Sequence, residues 1–369
     1  MNKGLYVHIP FCMKKCKYCD FNSFCGSDTD KNMYLDALFD EMSGYAGEVC
    51  DTVFIGGGTP TALSAEKIEL LLKKIDDTFV ITADAEFTME ANPKTIDAEK
   101  LSVMRENGVN RLSLGVQSFH DNELLALGRI HNAADAHGGF HLARDAGFDN
   151  INLDLMLAIP QQTKASLAEN IRIAADLSPE HISCYSLILE EGTPLYDEYM
   201  RGELALPDDD AQADMYFYAA DELKKYGYNR YEISNFALPG RESRHNKKYW
   251  QCREYIGVGL SAHSYVGGAR YANTDNFSSY IKGRFSDGEK NVLTLSDKMS
   301  EFMFMGLRMT EGIAVSEFSE RFGKNIRDVF EKPLLKFIKT GMLIEKNGRI
   351  FLADKAVEVS NQVMCEFIL

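Results

Sequence analysis

The chain has 369 residues, 45% of them hydrophobic and 26% charged, with a formal charge of −15. That length supplies roughly two domains and a buried core, and the composition excludes collagen-like and disordered classes. Acidity argues against general nucleic-acid binding, which needs a basic face; the absence of an apolar run of about 18 residues or of a signal peptide predicts a cytoplasmic protein without a membrane span.

In chain order, the first strand-like run is LYVHI at 5–9, followed at once by Cys12, Cys16 and Cys19. C-x3-C-x2-C on a short loop lets three thiolates converge on one inorganic centre. A structural zinc site wants four protein ligands, for which only His8 and His263 offer a fourth. A four-iron cluster held by three cysteines would instead leave one iron open to another ligand. The other five cysteines (Cys25, Cys50, Cys184, Cys252, Cys365) are scattered singly and read as core or surface residues.

Strand-like runs recur at 51–55, 86–91, 111–116, 150–157 and 181–189, with helical patterns between them. The segment 64–77 opens at Ser64; 97–108 opens at Asp97 and closes at Gly108. Six β-α units predict a parallel barrel or partial barrel, whose chemistry sits at the carboxyl ends of the strands. The second strand ends in GGGTP, whose glycines let backbone amides approach a ligand, although a glycine triplet alone is equally a tight turn. Other strand ends carry Glu90, Gln117 and Asp154, and Arg129 follows one helix later. Together they ring one mouth beside the cysteines, which favours a nucleoside-bearing ligand.

The motif 245-HNKKYW-250 offers an imidazole, an amide (Asn246) and two aromatic rings (Tyr249, Trp250) able to cover a flat porphyrin; a packing turn is the plainer alternative. The stretch 267–276 reads as the loosest in the chain. Beyond about residue 290, helical patterns at 297–309, 315–323 and 326–341 and a hairpin around Asn347-Gly348 predict three helices and a β-wing. Phe302, Met303, Met305 and Met309 read as core or as a lid against the barrel.

The cysteine loop, GGGTP and the ordered strand ends resemble the radical S-adenosylmethionine (SAM) superfamily, and within it the oxygen-independent coproporphyrinogen III oxidase family. Phe21 where the oxidases carry a further cysteine, the short lead to Cys12 and HNKKYW itself resemble the HemW branch, regarded as haem chaperones. The resemblance implies an α/β fold: a partial (β/α)6 barrel over 1–235, a connecting segment with the motif over 236–289, and a C-terminal helical, winged-helix-like domain over 290–369.

It further implies a 4Fe-4S cluster on Cys12, Cys16 and Cys19 with SAM on its open iron. Gly57, Gly58 and Thr59 would line the methionine end. Glu90, Gln117, Arg129 and Asp154 would hold the ribose and carboxylate region, with Tyr18 near the adenine and Tyr6 beside the pocket. Haem would bind at His245, Asn246, Tyr249 and Trp250, with Cys252 and His263 as competing iron ligands. The implied function is haem binding and transfer to an acceptor protein, with an electron donor and no coproporphyrinogen oxidase activity; that oxidase is the alternative. The family commonly has Gly-Leu-Pro where this chain reads 158-AIP-160, and local repacking is expected there.

Overall fold

The computed structural model describes residues 2–286 and 288–369. Strands β1 (Lys3–Ile9), β2 (Val49–Gly57), β3 (Val80–Ala91), β4 (Arg111–Gln117), β5 (Ile151–Leu157) and β6 (His181–Ser186) pair in parallel in sequence order. Their inward and outward faces are both covered, so they read as nearly continuous apolar runs; Leu5, Val7 and Ile9 have no exposed surface. Outer helices such as Ala65–Thr78 and Ala98–Glu106 begin where Ser64 and Asp97 accept the Lys67 and Lys100 amides, satisfying donors that a helix start leaves free.

Later strands extend this sheet at both edges. β7 (Asn229–Arg230) and β8 (Asn235–Ala237) continue it from β6; β9 (Tyr255–Val258), β10 (His263–Val266), β11 (Ala269–Ala272) and β12 (Asn291–Val292) continue it from β1. The order β12-β11-β10-β9-β1-β2-β3-β4-β5-β6-β8-β7 is linear, giving an open, partial barrel. Residues 267–276 are therefore not loose. Gly267 and Gly268, at φ +62° and +74°, form the tight turn of the β10–β11 hairpin, the conformation that a Gly-Gly pair supplies most cheaply.

The C-terminal region combines the helices Leu295–Gly306, Val315–Phe322 and Ile326–Lys339 with a three-stranded antiparallel sheet. Its strands are β13 (Ile313–Ala314), β14 (Leu343–Lys346) and β15 (Arg349–Leu352), and Asn347-Gly348 turns the hairpin with both φ angles positive. Phe302 and Met303 join Phe318, Phe330 and Phe367 in its core. Met309 packs instead with Tyr231 and Ala237 of the barrel, and Met305 is half-buried.

Candidate active site at the barrel mouth

A cavity of about 340 Å³ opens at the carboxyl ends of the parallel strands. The structure brings together there Cys12, Cys16, Cys19, Tyr18, Gly57, Gly58, Thr59, Glu90, Gln117, Arg129 and Asp154. Tyr6 does not line it: the ring lies beneath, with its hydroxyl 3.0 Å from His8 Nδ1. His8 in turn reaches Asn22 O at 3.2 Å, holding the far arm of the cysteine loop.

The glycine turn serves the protein more than a ligand. The Gly58 amide donates to Ile9 O and the Thr59 amide to Phe11 O, each at 2.8 Å, while the Gly57 amide donates to Glu90 Oε2 at 3.1 Å. A Cβ at Gly58 would stand 2.8 Å from Phe11 O and 3.1 Å from Cys12 Sγ. The triplet thus lets β2 lie directly against the cysteine loop, and its amides are already paired, contrary to the expectation that they reach out to a bound molecule.

Backbone strain aims two other positions. Gln117 sits at φ +68° beyond a register shift in β4 and accepts from the Tyr185 hydroxyl at 3.0 Å. Ala158 sits at φ +58°, where glycine is easy and alanine strained. The AIP departure is accommodated in that way, and Asp154 remains in the cavity wall.

Two carboxylates, Glu90 and Asp154, line the cavity together. Burial, reinforced by the Asp154 charge, pushes the Glu90 carboxyl up to about 8. Burial also raises Asp154, against a hydrogen bond from Asn152 Nδ2 at 2.7 Å and the pull of Arg111 and Arg129. Arg129 donates from Nη1 to Cys16 Sγ at 3.4 Å, and the Thr59 hydroxyl lies 3.7 Å from Cys12 Sγ. Burial raises the Cys12 and Cys19 thiols. Ser113, Met156 and Tyr185 also line the cavity; the strand-end rule, carried on to β6, reaches Tyr185 directly.

HNKKYW lies at the other end of the barrel. It forms the helix Arg244–Trp250, capped by Ser243, whose hydroxyl accepts the Asn246 amide at 3.3 Å. The amides of Arg244 and His245 donate to the Glu86 carboxylate at 2.8 and 2.9 Å, an anion seated on a helix start. His245 is 1% exposed. Its Nδ1 lies 2.9 Å from Thr52 Oγ1 and its Nε2 2.8 Å from the Tyr249 hydroxyl, and its ring stacks on Phe54. Burial drives its pKa down to about 3.

The imidazole and the two aromatic rings do not share one face. Helical spacing puts His245 and Tyr249 on one face, against β2. Trp250 turns away under the Arg308 guanidinium, 4.3 Å from its ring centre, beside Tyr231 and Met309. Of the competing ligands, His263 stands exposed on β10, whereas burial pushes the Cys252 thiol up to about 12. Five residue steps along β1, about 16 Å at the usual strand rise, separate Gly4, which packs on His245, from Ile9 at the mouth.

The Radical SAM superfamily model matches residues 6–174 and the HemN C-terminal domain model residues 293–359. The chain is 39% identical to the heme chaperone HemW of Bacillus subtilis (strain 168), covering 99% of both chains. It is 36% identical to that of Escherichia coli (strain K12), covering 95% of this chain and 96% of the relative. The solved structure of coproporphyrinogen III oxidase (HemN) from Escherichia coli, a radical SAM enzyme, superposes with a TM-score of 0.87. That match has 24% identity and covers all of this chain and 90% of that one; at such identity it speaks for the fold alone.

Proposed function

As the chain belongs to the HemW family of the radical SAM superfamily, we propose that it binds haem and passes it to an acceptor protein, using a 4Fe-4S cluster and SAM. The observation that carries the reading is the convergence of the three cysteines with Glu90, Gln117, Arg129 and Asp154 on one cavity. The donor set fits. Cys12, Cys16 and Cys19, three thiols on one cavity wall, would each hold one iron. When bound, the cluster supplies SAM with an electron.

The chain's own residues do the rest. Arg129 offers a fixed positive charge to a carboxylate; Gln117, anchored by Tyr185, offers its amide. Glu90, neutral over much of the physiological range, can both accept and donate to ribose hydroxyls. Tyr18, packed with Leu127, Met156 and Leu187, supplies an apolar wall for an adenine ring. Phe21, 64% exposed at the rim, stands where an oxidase would carry a thiol, in keeping with a carrier rather than a coproporphyrinogen oxidase.

In this reading His245 Nε2, now 2.8 Å from the Tyr249 hydroxyl, would serve as the ligand for haem iron, and loading would need the helix Arg244–Trp250 to move. A cytoplasmic setting accords with the scattered reduced cysteines, and among the described residues no helix is long and apolar enough to cross a membrane. The reading calls for an acceptor protein for the haem and for an electron donor. Haem titration of the parent beside His245→Ala, Cys252→Ser and His263→Ala tests the assignment. His245→Ala should lose the parent's Soret band and affinity. A parent that binds no haem ends the chaperone reading, and turnover of coproporphyrinogen with SAM and reductant establishes the oxidase one.

A further inference from the structure

Arg129 is seated against the cysteine loop with unusual care. Lys17, the neighbour of Cys16, donates its amide to Leu127 O at 3.0 Å, and its carbonyl receives the Leu195 amide at 2.9 Å. Gly128, at φ +72°, packs so closely on this loop that a Cβ there would lie 2.9 Å from Lys17 Cγ. The backbone that delivers Arg129 is therefore locked to the backbone that delivers Cys16. The guanidinium then divides its donors. Nη1 points at Cys16 Sγ at 3.4 Å, Nη2 is pinned to Gly115 O, and Nε is buried without a partner among the described residues. Gly115 is cut to that seat: a Cβ would meet Gln117 Nε2 at 3.2 Å and Arg129 Nη2 at 3.3 Å.

Among the described residues, the other side chains that act on a motif sulfur by hydrogen bonding are uncharged hydroxyls at Cys12, those of Ser23 and of Thr59, the latter 3.7 Å from Cys12 Sγ. Cys16 Sγ thus faces, at hydrogen-bond distance, a guanidinium whose positive charge cannot be lost by deprotonation.

We propose that Arg129 sets the reduction potential of the cluster by charging the Cys16 corner, a role distinct from any contact with SAM. The proposal rests on the cysteines holding that cluster. Reduction adds one electron from a one-electron donor and no proton, so the cluster gains a negative charge. A guanidinium hydrogen-bonded to a ligating sulfur in a low-dielectric pocket stabilises the product of that step more than the reactant, and the potential rises. Arg129 is a tuning residue here: it acts through Cys16 and makes the cluster reducible by a weaker donor.

The test is a mediated redox titration, followed by electron paramagnetic resonance, on the reconstituted full chain without SAM. Arg129→Gln should lower the midpoint potential by at least a tenfold change in the oxidised-to-reduced ratio, about 59 mV for one electron. Arg129→Lys, which keeps the charge but not the fork, should fall between. Gly115→Ala, which keeps Arg129 and pushes its guanidinium off the seat, should move the potential in the same direction.

If Arg129→Gln assembles the cluster and keeps the parent potential, the proposal is wrong. If Arg129→Gln does not assemble it, unchanged potentials in both Arg129→Lys and Gly115→Ala overturn it equally. Iron and sulfide assays separate these results from failure of the underlying reading, which a parent without a cluster would show and which would remove the proposal too.

Discussion

The carboxylates and arginine of the barrel mouth and the histidine of the motif helix are partnered in opposite ways, although Trp250 Nε1 of that helix is itself buried without a hydrogen-bond partner among the described residues. At the mouth, Glu90 and Asp154 are brought close with few partners, Arg129 keeps an unpaired Nε, and three thiols face a cavity. At the floor, both His245 nitrogens, the Thr52 hydroxyl and the Glu86 carboxylate are paired within the protein. Unpaired buried groups cost stability and persist where a ligand or a reaction needs them; paired ones hold a fold together. By that contrast the motif helix closes the barrel, and any haem it takes must first displace bonds that now stabilise the chain.

The sharpest division is between metal and fold. Cys16→Ala should take iron from about four per chain to none while leaving thermal unfolding of the cluster-free protein within a few degrees of the parent, measured by iron assay and calorimetry. His245→Ala should do the reverse. It should cost about 3 kcal/mol in urea unfolding, because it strands Thr52 and Tyr249 and leaves a void, while iron uptake continues. Equal stability in the two variants would erase the distinction between the ends.

Acid and base should also act on different ends. His245 is neutral when folded and its pKa is depressed to about 3, so its contribution is present above about pH 6.5 and is lost as pH falls from there. His245→Gln should remove about 1.4 kcal/mol per pH unit of acid slope between pH 6 and 4. Glu90, raised to about 8, has the opposite sign: its contribution is full below about pH 4.5 and is lost as pH rises towards 8. Glu90→Gln should flatten that limb in the cluster-free protein; an unchanged limb would place the loss elsewhere. The smallest effect is expected at Ala158→Gly, where relief of the positive φ should add about 1 kcal/mol without altering iron content.

The mouth was legible in the sequence because barrel geometry sends successive strand ends to one place. Glu90, Gln117 and Asp154 could be gathered without coordinates. What sharpens them could not: nothing local announces that Gln117 would adopt a positive φ, or that the glycine amides would be spent on Ile9 and Phe11. At the opposite end, chemistry suggested a ligand set, and helical spacing divides it, with His245 and Tyr249 on one face and Trp250 on another. β9 was missed for a different reason. It is a four-residue YIGV run whose strand character comes from pairing with β1, some 250 positions earlier, and no window of sequence contains that partner.

That distant pairing also sets a timetable. β1 is an inner strand only when β9 lies beside it, and until then its outer hydrogen-bonding edge is bare. The cysteine loop springs from β1, and Asn22 on that loop is tied to Ser261 Oγ, just beyond β9, and to Asp275 O, just beyond β11. A ribosome releasing the chain from its amino end therefore presents all three cysteines long before the strand and the loop that brace them exist. If the three cysteines hold a cluster as proposed, its insertion into a finished site would come after synthesis has passed residue 275; a chain stalled earlier exposes both an unpaired strand edge and three unprotected thiols.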